Sequence, residues 1–395
     1  MNRILFIGGY YNPQILPYLI KNSKHGLDFA ANNLQEAIFK GLDENHVDYD
    51  IISFPFVGSF PLHCKSPFIK SCNTHDKRIQ SVGYVNIMYF KRWHIRRLCW
   101  SKVKEWCNLV KGKGTIIFYN FSNICIAKRI KEKFPEIKIV LIVTDLPEFM
   151  STDKSLTSRI NDKLLRFNSN TFHNNIDGYI LIAERMQDRM PIANKPKLVI
   201  EGIYNSTVAV DSVEKEPNKT ILYTGTLGER YGIKKLLEAF SCIKDDSYRL
   251  WIRGNGQCES DVKEASQRDG RIVYFDKMSR KELLELEKKA TLLINPVAPS
   301  QVFTSYFFPS KTLEYMASGT PTLMHKLSCL PEGYLDYIYT FENEDVESIK
   351  NKIVEICSMN ADELAAFGSK ASNYILKNKT PKPQIERLIT FIATL

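Results

Sequence analysis

The densest chemistry in the sequence lies in Phe308-Pro309-Ser310-Lys311-Thr312-Leu313-Glu314-Tyr315-Met316-Ala317-Ser318-Gly319-Thr320-Pro321. Pro near the start and Gly-x-Pro at the end delimit a short helix. Its first turn offers free backbone N–H groups, the Ser310 and Thr312 hydroxyls and the Lys311 ammonium, a set that suits a phosphate. Glu314 falls one turn further in, where a carboxylate accepts hydrogen bonds from vicinal hydroxyls such as those of a ribose. The same pattern also describes an ordinary capped helix with a salt-bridged Glu.

Two glycine-bearing segments read similarly. Thr224-Gly225-Thr226-Leu227-Gly228 stands between a predicted strand and a predicted helix. Glycines there let the backbone approach a phosphate, or simply make a tight turn. Arg253-Gly254-Asn255-Gly256 follows the next strand and lacks the third glycine of a dinucleotide fingerprint. A strand-end Arg binds a diphosphate or sits on the surface beside the turn. Asp48-Tyr49-Asp50 precedes a strand and reads as structural. No metal site is expected: Cys64 and Cys72, with His63 and His75 nearby, lack the tight paired spacing of structural zinc ligands.

These residues need a scaffold, and its form is legible. The 395 residues, 44% hydrophobic and 25% charged, suffice for two hydrophobic cores. Buried-strand runs alternate with amphipathic helices: Arg3–Gly8, Asp50–Phe54, Gly114–Tyr119, Ile137–Thr144, Asp177–Ala183 and Lys197–Glu201, with a helix over Leu27–Leu42. After a polar stretch the pattern restarts at Thr220–Thr224, Tyr248–Ile252, Ile272–Phe275, Thr291–Asn295 and Thr322–His325. This predicts an α/β protein with two Rossmann-like parallel-sheet domains. The expected boundaries are 1–204, a linker 205–218, 219–378, and a C-terminal helix 379–395. Ligands of such folds bind at the carboxyl ends of the strands, and between two such domains the cleft is the expected site.

The formal net charge of +10 favours an anionic partner. No nucleic-acid module is present, so nucleic acid is not an expected partner. The positive charge concentrates between Lys91 and Lys111, with seven basic residues and one acid, together with Trp93, Trp100 and Trp106. At helical spacing Ile95, Cys99, Val103, Trp106 and Val110 share a face suited to burial. Trp93, Arg97, Trp100 and Lys104 share another, with Arg96 adjacent. Tryptophan beside Arg and Lys on an outward face suits an anionic bilayer surface, the alternatives being a solvated basic helix or one that receives an acidic substrate. No run approaches the ~18 apolar residues of a membrane span. The nine cysteines are scattered, which suits a reducing compartment. The expected location is cytoplasmic, peripheral on the inner face of the plasma membrane.

The second half resembles the nucleotide-sugar-binding domain of GT-B glycosyltransferases of the family 4 type. The matching pieces run in order: ILYTGTLGERYGIKKLLEAF, LWIRGNG, RIVYFDKMSRKELLELEKKATLLINP and FPSKTLEYMASGTPTL. Similar F-P-S-K…E-Y…G-x-P stretches occur in bacterial enzymes that build capsule and O-antigen polysaccharides. The resemblance implies two domains facing a central cleft, with the C-terminal helix returning to the first. It implies that Glu314, matching the second Glu of the E-x7-E motif, contacts the donor ribose. Ser310, Lys311 and Thr312 would face the diphosphate and sugar, Gly225 and Thr226 the phosphates, and the Phe275–Met278 loop the base. Arg253 and Lys311 would replace a basic pair whose places hold Thr226 and Tyr231. Tyr306 stands where the motif has its first Glu, and would shape the sugar pocket. In the first half, Gly8 and Gly9 after the first strand match an acceptor-side loop. Thr144-Asp145-Leu146-Pro147 ends a central strand where many members carry a His, making Asp145 a candidate acceptor contact or base.

The expected activity is transfer of a hexose-type unit from a UDP- or GDP-linked sugar to a hydroxyl of a lipid-linked glycan. Retention of configuration is expected, with no cofactor required. A nucleotide-sugar epimerase and a donor-binding scaffold without turnover are the alternatives.

Overall fold

Five-residue runs such as Ile4–Gly8 (β1) and Thr115–Tyr119 (β7) are buried along their whole length. Strands covered on both faces need such continuous apolar sequence. The computed structural model describes residues 3–73, 76–146, 172–192, 194–205, 208, 210 and 213–395. His75, Pro147 and positions 206, 207, 209, 211 and 212 of the expected linker lie outside the described residues.

The chain forms two compact units, Met1–Ile203 with Pro381–Leu395, and Tyr204–Thr380. In the first, β1 and β7 are joined by β2 (Tyr49–Ser53), β3 (Phe68–Ile69), β4 (Cys72–Asn73), β5 (Ile79–Ser81), β6 (Tyr84–Val85), β8 (Lys138–Val143), β9 (Gly178–Leu181) and β10 (Lys197–Val199). Among the described residues the main sheet runs β10-β9-β8-β7-β1-β2-β5-β4, parallel throughout except for β4, while β3 and β6 pair separately. Its described helices are α1 (Leu16–Asn22), α2 (Phe29–Glu44), α3 (Phe90–Leu109), α4 (Ala127–Lys133) and the last helix of the chain. The segment between β2 and α3, which the sequence reading left unassigned, supplies the short strands β3 to β6.

The second unit is a parallel sheet ordered β13-β12-β11-β14-β15-β16. Its strands are β11 (Lys219–Thr226), β12 (Tyr248–Asn255), β13 (Ile272–Phe275), β14 (Leu292–Asn295), β15 (Thr322–Met324) and β16 (Tyr339–Thr340). Its described helices are α5 (Ile233–Ser241), α6 (Glu259–Arg268), α7 (Arg280–Lys289), α8 (Lys311–Ser318), α9 (Val346–Cys357) and α10 (Ala361–Asn378). Here the structure corrects the sequence reading at two places. Gly225 and Thr226 lie within β11 rather than in a loop, and Arg253-Gly254-Asn255 continue β12. Thr224, Gly225 and Thr226 pair with Arg253, Gly254 and Asn255. A Cβ at Gly254 would stand 1.8 Å from the Gly225 carbonyl oxygen, so these glycines let the two strand ends close against each other.

Helix α11 (Pro381–Thr394) belongs to the first unit, where Ile385, Leu388 and Ile392 enter the core formed by β1, α2 and β7. It lies on α2 at Gly41: a Cβ there would meet Ile385 Cγ1 at 2.2 Å and the Pro381 carbonyl oxygen at 2.6 Å. Gly41→Ala is therefore expected to destabilise the first unit by about 1–3 kcal/mol through overpacking. Denaturant unfolding measures this, and an unchanged midpoint would contradict the close α2–α11 contact.

Candidate functional site

The second unit builds one ionic cluster at the start of α8. Lys311 Nζ donates to Glu314 Oε1 at 2.7 Å, and the Arg280 guanidinium pairs with Glu314 Oε2. The Glu314 side chain is only 13% exposed. Burial alone would raise its pKa, but Lys311 and Arg280 outweigh that and hold the carboxyl well below the usual range. Arg280 is the first residue of α7, fixed by a capping box in which Ser279 and Glu282 satisfy each other's backbone N–H groups. Two turns later Glu287 is completely buried among Leu283, Leu284 and the Glu314 carboxyl. Burial first, and the Glu314 charge second, push Glu287 far above the ordinary carboxylate range, so it stays protonated.

The other expected donor residues distribute unevenly around this cluster. Thr224, Arg253 and Phe275 stand abreast in register at the ends of β11, β12 and β13. Abreast residues of parallel strands share a face, and Thr224 faces α8, its N–H donating to the Tyr315 hydroxyl at 2.7 Å. Arg253 therefore stands on the α8 side of the sheet, and its Nε is buried without a hydrogen-bond partner among the described residues. Ser310 is exposed just before α8, but its helical backbone angles and uncommitted side chain are not those of a helix cap. Thr312 departs from expectation: it is wholly buried, its hydroxyl 3.7 Å from Met324 Sδ and its N–H donating to the Pro309 carbonyl at 2.8 Å, so neither faces an anion. Thr226 is exposed at the end of β11. Tyr306 is half-buried after the short turn Val302–Ser305.

Sequence reasoning missed Arg280, Glu287 and an aromatic group. The Arg230 guanidinium lies 4.8 Å from the Tyr231 ring and 5.2 Å from the Phe303 ring, and Phe303 contacts Phe307. This group joins the turn after β11 to the segment carrying Tyr306. The available signal for Glu287 was a carboxylate at an inward helical position beside Leu283 and Leu284.

In the first unit, Gly8 and Gly9 end β1, and Thr144 and Asp145 follow β8, so both pairs reach the carboxyl edge of one sheet. The space beside the glycines is filled by the chain itself. Gln35 Oε1 accepts from the Gly9 N–H at 3.0 Å, and a Cβ at Gly9 would strike the Phe56 ring at 2.2 Å. Asp145 keeps solvent access but sits among groups that dehydrate its carboxyl. That dehydration, followed by the nearby Asp28 charge, moves its pKa from 3.8 to about 6 despite a hydrogen bond from Thr144. Tyr119 and Tyr11 complete this group, which sequence reasoning also missed. Asp48 and Asp50 pair with Arg3, and Asp50 also accepts from the indole of Trp106 at 2.8 Å. Among the described residues no group of three or more His, Cys, Asp or Glu is placed to hold a metal.

Helix α3 buries Cys99, Val103, Trp106 and Cys107. Arg96, Arg97 and Lys104 are exposed, and Trp93 is 52% exposed with the Arg97 guanidinium 5.7 Å from its ring. Trp100 is less available than its helical position suggests, half-buried with Arg129 stacked at 4.8 Å. At the start of the helix, Ile87, Met88, Tyr89 and Phe90 are all exposed, Tyr89 most of all at 83%. No helix among the described residues is long and apolar enough to cross a membrane.

Residues 218–359, within the second unit, match the family model for glycosyl transferases group 1. Among curated proteins none matches the chain. Solved structures are similar over almost the whole chain. The sucrose-phosphate synthase from Thermosynechococcus elongatus is 13% identical with TM-score 0.63, covering 100% of both chains. The lipopolysaccharide outer core galactosyltransferase WaaB is 13% identical with TM-score 0.63, covering 99% of each. The pneumococcal O-GlcNAc transferase GtfA, in complex with UDP and GlcNAc, is 10% identical with TM-score 0.59, covering 100% of this chain and 99% of its own. The fold is GT-B. At such identities the likeness fixes the architecture, and the roles of individual residues rest on this chain's own chemistry.

The Asp145 shift has a stability consequence. The folded protein holds that proton more tightly than the unfolded chain, so stability is lost as pH rises from 3.8 to about 6. Asp145→Asn is expected to raise the thermal midpoint at about pH 7.5, where the wild-type carboxylate is charged, and to change it little at about pH 3.5. An equal shift at both pH values would contradict the dehydrated carboxylate.

Proposed function

We propose that the protein is a nucleotide-sugar-dependent glycosyltransferase of the family 4 type. It transfers a sugar from a UDP- or GDP-linked donor to a hydroxyl of a lipid-linked glycan in cell-surface polysaccharide synthesis. The observation that carries this reading is the Lys311–Glu314–Arg280 cluster at the start of α8, inside the segment that matches group 1 glycosyl transferases. Lys311 and Arg253 bind the diphosphate, the exposed Ser310 and the strand end at Gly225 and Thr226 line it, and Glu314 takes the ribose hydroxyls. Tyr306 shapes the sugar pocket.

Catalysis then rests on positioning and on stabilising the departing diphosphate. Front-face attack retains configuration and requires no enzymic base, and Asp145 serves as an acceptor contact beside Gly8 and Gly9. Product-linkage NMR tests the stereochemistry. An inverted anomeric centre would instead assign Asp145 as general base, a role suited to a pKa of about 6.

The acceptor class follows from α3. Exposed Trp93 and the apolar turn Ile87–Phe90 lie beside Arg96, Arg97 and Lys104. Aromatic residues with cations suit the headgroup layer of an anionic bilayer. Each basic residue near such a surface contributes about 1 kcal/mol. We infer peripheral attachment to the inner face of the plasma membrane, with Trp100 a lesser contact than Trp93.

Losing one charge-assisted hydrogen bond costs about 1.5–3 kcal/mol, or roughly 10- to 150-fold in affinity. Lys311→Ala and Glu314→Gln are each expected to weaken UDP or GDP binding by that much in calorimetry. Unchanged affinity in both would overturn the donor placement. Donor turnover only with an acceptor present supports transfer, whereas turnover without one favours epimerisation. In liposome flotation, wild type is expected to float with anionic vesicles and release at high salt. Arg96→Glu/Arg97→Glu should remain in solution. Wild type that ignores anionic vesicles at low salt would overturn the membrane reading.

A further inference from the structure

Glu287, buried in the α7–α8 cluster, has no role in the scheme above. Its side chain is completely buried, and among the described residues neither carboxyl oxygen receives a hydrogen bond. Burial of an unsatisfied carboxyl is costly, so such a group needs a reason. Its neighbour is the Glu314 carboxyl, and Lys311 and Arg280 both engage Glu314. Two carboxyl groups in contact need a proton between them. The cations settle on which side it rests, because they favour the charged form of the residue that they touch.

We propose that Glu287 is a positioning residue that holds the Glu314 carboxylate at the ribose of a bound nucleotide. The inference rests on the donor-site reading of Glu314. Glu287 keeps the proton and donates it as a hydrogen bond to Glu314 from inside the unit. Lys311 and Arg280 hold Glu314 from the other sides in the nucleotide-free protein. When a diphosphate arrives it competes for Lys311, and Glu314 loses an outer partner while the inner one remains. Glu287 then fixes the carboxylate in the geometry that accepts from two vicinal hydroxyls. An apolar residue would fill the same space without this restraint, and a glutamine amide would supply it without the proton.

The test uses whichever of UDP and GDP binds the full-length protein more tightly, together with its 2′,3′-dideoxy analogue, in calorimetry. Glu287→Met is expected to weaken the ribonucleotide about tenfold, the effect of one lost hydrogen bond, and to leave the dideoxy nucleotide within about twofold. Glu287→Gln should restore ribonucleotide affinity to within about threefold of wild type, because its amide N–H still reaches Glu314. Should the Met variant not fold, Glu287→Asp replaces it, its shorter side chain giving the same selective loss. Equal losses for both nucleotides, or a Gln variant as weak as Met or Asp, would make Glu287 a packing residue and overturn the proposal. Glu314→Gln separates the two levels of the argument. If it weakens both nucleotides equally, the ribose placement itself is wrong and the Glu287 proposal falls with it. If it removes the ribose preference while the Glu287 variants keep it, only the Glu287 proposal is overturned.

Discussion

A carboxylate that is 13% exposed keeps its charge only with cations at hand, and the α7–α8 end of the second unit is organised around that requirement. Glu314 has Lys311 one turn before it on α8 and Arg280 reaching across from α7. Removing either cation leaves a buried charge short of a partner, so the starts of the two helices are tied together electrostatically. The capping box at Ser279 and Glu282 contributes by fixing where α7 begins, and with it where Arg280 stands. Beneath this layer the Tyr315 hydroxyl, bonded to the backbone and side chain of Thr224, fastens α8 to the end of β11.

The two sheets use their carboxyl edges differently. In the second unit the strand ends close together at Gly225 and Gly254, and Arg253 is a cation whose Nε has no hydrogen-bond partner among the described residues. In the first unit the glycines at the end of β1 are covered by Gln35 and Phe56, and the open chemistry moves to Asp145 and Asp28, with Tyr11 and Tyr119 buried beside them. One edge therefore offers positive charge and backbone to an anion. The other offers the carboxyl of Asp145, with its raised pKa, beside that of Asp28.

Helix α3 shows how one element serves both core and surface. Cys99, Val103 and Cys107 pack inward, and the Trp106 indole bonds Asp50, which also holds Arg3. That anchoring leaves Trp93 and the turn before the helix facing outward with the basic side chains. Trp100, at a similar helical position, is instead stacked beneath Arg129, a residue on another element whose placement no helical wheel contains.

The sequence by itself determined the two parallel α/β units, because continuous β-branched runs and amphipathic helices leave few other arrangements. It also determined the short α8 helix between Pro309 and Gly319 and the one-turn spacing of Lys311 and Glu314, since both are local and set by helical spacing. Tertiary structure alone decided which hydroxyls and cations reach that site. Thr312 lies in the right turn but rotates into the core toward Met324, whereas Arg280, distant in sequence, arrives because α7 lies alongside α8. It also turned an apparent loop at Gly225-Thr226 into paired strand, since pairing depends on what β12 places alongside. The protonation of Glu287 and Asp145 belongs to the same class, because dehydration and neighbouring charge depend on distances through space, which residue spacing along the chain does not contain.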